Sequence, residues 1–333
     1  MPVQKLFIVI VFVFTCLPLV SCDPMAPQPT AAVIIITDVP SRTPVPTPTT
    51  AAPTRTIAPT RAPVQTATPT PFPCAAEGGQ VIRFDRNPSQ VVDENLRYRV
   101  YIPPCYVETQ RRYPYALLLH GQAATESQWE DLGAVSVLDQ GIQLGALPPM
   151  ILVMPFWGVV GNTNAFPPDP SYETVILDEL IPAIERDFCT WNDREQRAIA
   201  GISRGGFWAF SIGLRHPDIF GIIGGHGAVF PDDPQVVPPA FSPLDMALNS
   251  ALLPEADLRI YMDNAAEDLA GQSQQLFSSR LSARGIRHTY IINPVGGHNA
   301  DYWSAHVSEY LAFYGQEWPR NVSELPSCLE PSP

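Results

Sequence analysis

A serine flanked by glycines carries the clearest chemical signal in this sequence. Residues 199–206 read IAGISRGG, a GxSxGG motif between an apolar, strand-like run and a helix-like run. At a sharp turn from strand to helix the serine takes a strained backbone conformation, and the flanking glycines leave room for neighbouring backbone while the hydroxyl points outward. The dipole of the helix N-terminus favours negative charge developing there. The motif therefore predicts that Ser203 is a catalytic nucleophile.

A serine hydroxyl is a weak nucleophile at neutral pH, so it needs a histidine base, and the histidine needs a carboxylate partner. In the strand–turn–helix context of this motif the three residues follow in the order serine, acid, histidine. His298 lies in Gly-Gly-His-Asn directly after the last predicted strand, whereas His288 begins a strand and His306 lies in a predicted helix. Loops after such strands collect active-site residues. We therefore assign His298 as the base.

Three carboxylates in the segment IYMDNAAEDL are candidates for the acid: Asp263, Glu267 and Asp268. The segment follows the penultimate core strand, which is where the order serine, acid, histidine requires it. Asp263 also fits a strand-end residue that binds loop amides, and Glu267 fits a solvated neighbour. Position alone does not choose among the three.

An acyl-transfer transition state carries an oxyanion, which backbone N–H groups can stabilise. The amide after the nucleophile and an amide after an earlier strand commonly supply this pair. Here they belong to Arg204 and to Gln122, which follows the run LLLHG. We expect four side chains to line a substrate pocket: His120, Trp157, His226 and Trp303.

Short β-branched runs alternate with helix-like segments from residue 74 to residue 330, which is typical of a mostly parallel sheet covered by helices on both faces. The pattern predicts one α/β domain, and the GxSxGG turn within it indicates the α/β-hydrolase fold. The predicted strands are 81–84, 96–102, 116–120, 150–154, 198–202, 222–225, 258–262 and 289–292. The predicted helices are 172–188, 205–215, 273–283 and 302–314.

The N-terminal region reads as an export and anchoring device. Residues 1–22 combine one lysine with a long apolar run, as a signal peptide does, and end in Leu-Val-Ser-Cys, which resembles a bacterial lipobox. Cys22 is therefore the expected lipid attachment point. Residues 23–73 are rich in Pro and Thr and predict a disordered linker, in which the run 32–36 is strand-prone but too short to form a domain.

Composition excludes several partners. The formal charge is −13 with no basic run, so nucleic acid is not expected to bind. No CxxC spacing suggests a metal site, and no cofactor is expected. Membrane contact is expected only through the N-terminal lipid. The signal segment and its lipobox-like end therefore predict an exported bacterial protein that is anchored at the cell surface.

Four cysteines lie in the predicted domain: Cys74, Cys105, Cys189 and Cys328. An even number in an exported chain permits two disulfides in any of three connectivities. Because Cys74 and Cys328 bracket the folded region, we favour a bond between these two.

The motifs together resemble those of the esterase family that includes feruloyl and acetylxylan esterases, S-formylglutathione hydrolase, enterochelin esterase and the mycolyltransferases. The resemblance covers nearly the whole predicted domain. Residues 101–106 (YIPPCY) resemble the family's YxPxGY, and His120-Gly121 with Trp129 resembles its HG and downstream tryptophan. Residues 201–206 resemble its GxSxGG, 264–269 its acid turn, and 296–303 its GGHxxxxW.

The resemblance implies that Asp268, which closes the acid turn, is the acid. Two departures stand out: Arg204 replaces a common methionine, and Cys105 replaces a glycine, which suggests that Cys105 has a disulfide partner. The implied function is that of an extracellular serine esterase acting through an acyl-enzyme on carboxylic esters, with acetyl or feruloyl esters on carbohydrate as candidates. An acyltransferase of the same fold and a non-catalytic surface binding module are the alternatives.

Overall fold

The computed structural model describes residues 32–36 and 73–330. The predicted signal segment with Cys22 and most of the predicted linker lie outside these residues. Within the described ranges, no helix is long and apolar enough to span a bilayer.

Nine described strands form a single sheet, whose order is β1-β9-β8-β7-β6-β4-β5-β3-β2. The six strands from β5 through β4, β6, β7 and β8 to β9 run parallel, whereas β3 pairs antiparallel with β5, β2 with β3 and β1 with β9. The strands are β1 Ala32–Ile36, β2 Gln80–Pro88, β3 Asn95–Ile102, β4 Tyr115–Leu119, β5 Ile151–Pro155, β6 Arg197–Ile202, β7 Ile222–His226, β8 Arg259–Ala265 and β9 His288–Asn293.

Helices follow most of the parallel strands, as crossover connections require. They are α1 Tyr106–Thr109, α2 Gln128–Asp131, α3 Ala134–Gln143, α4 Tyr172–Thr174, α5 Ile181–Asp187, α6 Arg204–Arg215, α7 Pro243–Asn249, α8 Gly271–Ala283 and α9 Ala300–Tyr314. A π-helical stretch, Val175–Leu180, joins α4 to α5, so the predicted helix 172–188 is one continuous rod. The α/β-hydrolase prediction is confirmed, with every predicted strand and helix in place.

Two apolar layers cover the sheet, because successive side chains of a buried strand point to opposite faces. Leu117 and Leu119 of β4 pack with α6, α7 and α8 on one face. Ala116 and Leu118 pack with α3 and α9 on the other. The parallel strands are therefore nearly continuous apolar runs, and their carboxyl ends meet at one edge of the sheet.

The first described segment differs from the linker prediction. Residues 32–36 form β1, which extends the sheet antiparallel to β9 in a register that runs from Ala32 opposite Ile292 to Ile36 opposite His288. An edge strand of five residues satisfies its backbone groups by pairing with the sheet, and it needs no core of its own.

The favoured disulfide between Cys74 and Cys328 is wrong. The bonds join Cys74 to Cys105 and Cys189 to Cys328. Because β2 and β3 form a hairpin in which Gln80 faces Ile102, the residues just outside its open end, Cys74 and Cys105, come together. The C-terminal segment instead lies along residues 110–113, where the amide of Cys328 donates to the Gln110 carbonyl oxygen at 2.8 Å.

Candidate active site

The turn from β6 to α6 holds Ser203 in a strained conformation. Its φ of 54° and ψ of −116° lie in a region that residues other than glycine rarely adopt. A Cβ on Gly201 would lie 2.2 Å from the carbonyl carbon of Gly205, and a Cβ on Gly205 would lie 2.5 Å from the His120 carbonyl oxygen. Both positions therefore require glycine, as the motif predicts, and the turn lifts the serine hydroxyl out of the sheet edge.

The side chains of Ser203, His298 and Asp268 form a continuous hydrogen-bonded chain. Ser203 Oγ lies 2.8 Å from His298 Nε2, and His298 Nδ1 lies 2.9 Å and 3.0 Å from the two carboxylate oxygens of Asp268. Because an ionised carboxylate can only accept, Nδ1 carries the proton and Nε2 accepts from the serine hydroxyl. The Asp268 side chain is fully buried, whereas that of His298 is 36% exposed.

Asp268 is held by the acid turn after β8. The amide of Ala270 donates to its Oδ1 at 2.7 Å, and its own amide donates to the Ala265 carbonyl oxygen at 3.0 Å. The carboxylate is thus aimed at His298 before any substrate arrives. This geometry brings Asp268 to the histidine, in agreement with the assignment that the resemblance implies.

Asp263, the other aspartate of the segment, belongs to a separate buried network. Its Oδ1 accepts from His226 Nδ1 at 2.7 Å, and its Oδ2 accepts from the hydroxyls of Tyr302 at 2.6 Å and Tyr310 at 2.8 Å. Both Asp263 and His226 are fully buried. The prediction that His226 contacts substrate is therefore wrong, because its side chain is buried away from the pocket and binds the Asp263 carboxylate.

His120 and Trp157 do not line the pocket either, so the prediction of substrate contact is wrong for both. Their side chains are 1% and 2% exposed, with the two rings packed 4.0 Å apart. His120 Nδ1 donates to the Gly121 carbonyl oxygen at 2.8 Å. Burial lowers the pKa of His120 to about 4, so the ring is neutral near pH 7.

A pocket of about 400 Å³ opens above the serine. Its lining residues are Gly121, Gln122, Ala123, Ala124, Gln128, Ser203, His298 and Trp303. Trp303 packs edge-on against His298 with the rings 5.0 Å apart, so this predicted pocket residue does reach the site. Among the described residues, none accepts a hydrogen bond from the backbone amide of Gln122 or Arg204. Two donors flanking the serine are thus available to an oxyanion.

The Arg204 side chain turns away from this pocket. Its Nε donates to the Gly161 carbonyl oxygen at 3.0 Å, and its Nη2 donates to the Thr163 carbonyl oxygen at 2.8 Å and to Asn164 Oδ1 at 2.7 Å. The guanidinium also lies over the ring of Trp208. The arginine therefore fastens the loop after β5 to the start of α6, which explains how a residue larger and more polar than methionine is accommodated.

Gln128 is a pocket residue that the motifs did not reveal. Its Oε1 accepts from the Gly121 amide at 2.7 Å. The sequence offers one signal, its place immediately before Trp129 in the segment between the HG pair and the next strand.

The fold and the contacts among serine, histidine and aspartate define an α/β-hydrolase. The chain belongs to the esterase family described as "Putative esterase", whose model matches residues 89–314. The resemblance predicted from the motifs is therefore confirmed.

Individual relatives match part of the chain. Over 137 residues it is 36% identical to an endo-1,4-beta-xylanase/feruloyl esterase of Xylanibacter ruminicola, a match that covers 38% of this chain and 18% of that protein. Over 147 residues it is 29% identical to esterase Rv1288 of Mycobacterium tuberculosis, covering 43% of this chain and 31% of that protein. The chain thus spans less than a third of the length of these curated relatives.

Solved structures share the fold over most of the described domain. A ferulic acid esterase is similar with a TM-score of 0.65 and 26% identity, covering 72% of this chain and 98% of that chain. The S-formylglutathione hydrolase FrmB of Staphylococcus aureus has a TM-score of 0.59 at 17% identity, covering 71% and 98%. At that identity the second likeness shows the fold alone.

Proposed function

We propose that this chain is an exported serine esterase that hydrolyses carboxylic esters through an acyl-enzyme intermediate. The observation that carries the proposal is the hydrogen-bonded chain from Ser203 through His298 to Asp268, which opens into a pocket flanked by two available amides. Membership of an esterase family supports the same reaction.

In this mechanism Ser203 Oγ attacks the ester carbonyl carbon while His298 Nε2 takes the hydroxyl proton. Asp268 holds the ring in the required tautomer and stabilises the imidazolium that forms. The amides of Gln122 and Arg204 donate to the oxyanion of the tetrahedral intermediate. The imidazolium then protonates the leaving alcohol, and a water activated by the same histidine hydrolyses the acyl-serine.

The surroundings of the pocket support a neutral, hydroxyl-rich alcohol as the leaving group. A groove of about 360 Å³ continues from the pocket and shares Ala123, Ala124 and Gln128 with it. One wall carries a chain of polar groups, in which Thr125 Oγ1 lies 3.0 Å from Ser127 Oγ, and Ser127 Oγ donates to Asp131 at 2.8 Å. Hydroxyls and a carboxylate there suit sugar hydroxyls and disfavour an anionic leaving group.

Acetyl or feruloyl esters on carbohydrate are therefore the proposed substrates. Two of the relatives are named for feruloyl esters, the endo-1,4-beta-xylanase/feruloyl esterase and the ferulic acid esterase, and they support the feruloyl part of this proposal. The predicted signal segment and the lipid expected on Cys22 support a location at the cell surface. Two disulfides among the described residues are in keeping with an oxidising compartment.

A panel of p-nitrophenyl acyl esters and of acetylated and feruloylated sugars tests the proposal. We expect the wild-type chain to hydrolyse the sugar esters and Ser203→Ala to lose at least about 1000-fold in turnover. Hydrolysis that survives in Ser203→Ala would contradict the serine mechanism. Activity on p-nitrophenyl esters without activity on any sugar ester would refute the carbohydrate assignment alone.

A further inference from the structure

Two successive peptide groups after β4 are each held by a side chain. The amide of Gly121 donates to Gln128 Oε1 at 2.7 Å. The carbonyl oxygen of Gly121 accepts from His120 Nδ1 at 2.8 Å and from the amide of Ala124 at 3.1 Å. Hydrogen bonds therefore fix both the peptide group before Gly121 and the peptide group after it.

This arrangement sets the direction of the Gln122 amide. The carbonyl of Gly121 and the N–H of Gln122 belong to one planar trans peptide group, so they point in opposite directions. Because His120 draws the carbonyl oxygen inward, the Gln122 N–H is turned away from the buried ring. Gln122 itself is exposed in the pocket beside Ser203.

The two holding side chains have different environments. His120 is buried and neutral, with its Nε2 3.4 Å from the Trp157 amide. Gln128 is partly exposed and lines both the pocket and the groove that continues from it. Its Oε1 must face Gly121, since only the oxygen of the amide can accept, and this orients the Nε2 group. Among the described residues, Nε2 has no hydrogen-bond acceptor.

We propose that Gln128 is a positioning residue for the oxyanion loop and also a specificity-determining residue. Through Oε1 it fixes Gly121 and hence the following amide of Gln122. Through Nε2 it offers a donor to the alcohol half of the ester, at the junction of pocket and groove. The second part rests on the proposed esterase function, whereas the first concerns the loop itself.

Two substitutions separate the two ends of the side chain. Gln128→Met keeps the length but removes both the acceptor and the donor, whereas Gln128→Glu keeps an acceptor for the Gly121 amide and removes the donor. Gln143→Met, at the exposed end of α3, is the matched control. Thermal unfolding of each variant establishes that it is folded.

Hydrogen exchange reads the positioning role without any substrate. We expect backbone exchange in a peptide covering residues 119–123 to accelerate about tenfold or more in Gln128→Met, because Gly121 loses its partner. In Gln128→Glu and Gln143→Met the protection should persist. Equal exchange in Gln128→Met and the control would overturn the positioning role, whatever the enzyme hydrolyses.

Kinetics read both roles. With p-nitrophenyl acetate we expect kcat of Gln128→Met to fall about 10- to 100-fold with little change in KM, because a misaligned oxyanion donor weakens transition-state binding. With glyceryl monoacetate, whose alcohol half carries hydroxyls, we expect Gln128→Glu to raise KM about fivefold more than it does for p-nitrophenyl acetate.

An unchanged kcat in Gln128→Met would overturn the positioning role, and equal KM changes for the two esters would overturn the donor role. If the wild type hydrolysed neither ester, the proposed function would fall and the donor role with it. The exchange measurement would still decide the positioning role.

Discussion

Asp268→Asn and Asp263→Asn each replace a buried aspartate of the same segment. We expect the first to lower activity and the second to lower stability. Asp268 accepts from His298 Nδ1, and Ala270 fixes its orientation. An asparagine there can turn its N–H₂ toward Nδ1, which places the imidazole proton on Nε2, facing the serine hydroxyl. The ring can then no longer accept the serine proton, so we expect kcat to fall about 1000- to 10,000-fold, or about 4 to 5.5 kcal/mol.

Asp263 receives three hydrogen bonds from His226, Tyr302 and Tyr310 and makes none to His298. An asparagine would accept through its single oxygen and turn its N–H₂ toward either His226 Nδ1 or the tyrosine hydroxyls, so at least one of these buried donors would lose its acceptor. Since all of these groups are buried, we expect Asp263→Asn to lower the free energy of unfolding by about 3 to 5 kcal/mol. The folded fraction should keep kcat within about tenfold of wild type, because the catalytic contacts remain.

Urea unfolding and hydrolysis of p-nitrophenyl acetate, normalised to titrated active sites, distinguish the two effects. If Asp263→Asn does not fold, Tyr310→Phe removes a single donor from the network and should cost about 1.5 to 3 kcal/mol. If Asp268→Asn retains kcat within tenfold of wild type, Asp268 is not the acid that orients His298. A folded Asp263→Asn or Tyr310→Phe variant that loses more activity than Asp268→Asn would likewise contradict the separate roles of the two aspartates.

Three further predictions follow from the described contacts. Burial lowers the pKa of His120 to about 4, so at a pH between this value and the ordinary histidine pKa the unfolded chain binds a proton that the folded chain does not. The folded state is therefore destabilised as the pH falls. Between pH 7 and pH 5 we expect the free energy of unfolding, measured in urea, to fall by about 1 to 2 kcal/mol more in wild type than in His120→Asn. The bond between Cys189 and Cys328 closes a longer loop than the bond between Cys74 and Cys105, with sequence separations of 139 and 31. Cys328→Ala should therefore lower Tm more than Cys74→Ala does. The reverse order would contradict loop-closure entropy as the cause. Arg204→Met deletes three hydrogen bonds to the loop after β5, so its unfolding free energy should fall by about 1 to 3 kcal/mol, and an unchanged value would mean that the loop is held by other contacts.

The sequence predicts most of the fold because parallel strands buried on both faces leave a strong apolar signal. Four helices escaped prediction: the one-turn helices α1 and α2, and the longer helices α3 and α7. In α3 the residues Val137, Gly141 and Ile142 weaken local helix propensity, and packing on α9 supplies the stability instead. Helix α7 did carry a signal, a Ser-Pro start in which Ser242 accepts from the Asp245 amide.

The parts of the site that could be predicted are those that a local motif, or the chain order of serine, acid and histidine, identifies. The turn around Ser203 and the loop of His298 depend on local sequence, whereas the choice between Asp263 and Asp268 depended on resemblance. The incorrect assignment of His226 has a physical reason. It is the last residue of its strand, and the face to which such a side chain points is set by register, which the sequence does not reveal.

Long-range partners were the least predictable features. Disulfide pairing depended on the β2–β3 hairpin and on the path of the C-terminal segment, both of which are tertiary facts. The contact between Gln128 and Gly121 likewise forms only after the loop folds back on itself.

Labelling with a fluorophosphonate, followed by peptide mass spectrometry, tests whether His298 activates Ser203 for covalent catalysis. We expect one adduct per chain, located on Ser203, with labelling at least about 100-fold slower in His298→Ala. Labelling that proceeds at the wild-type rate without His298, or an adduct on any other residue, would contradict it.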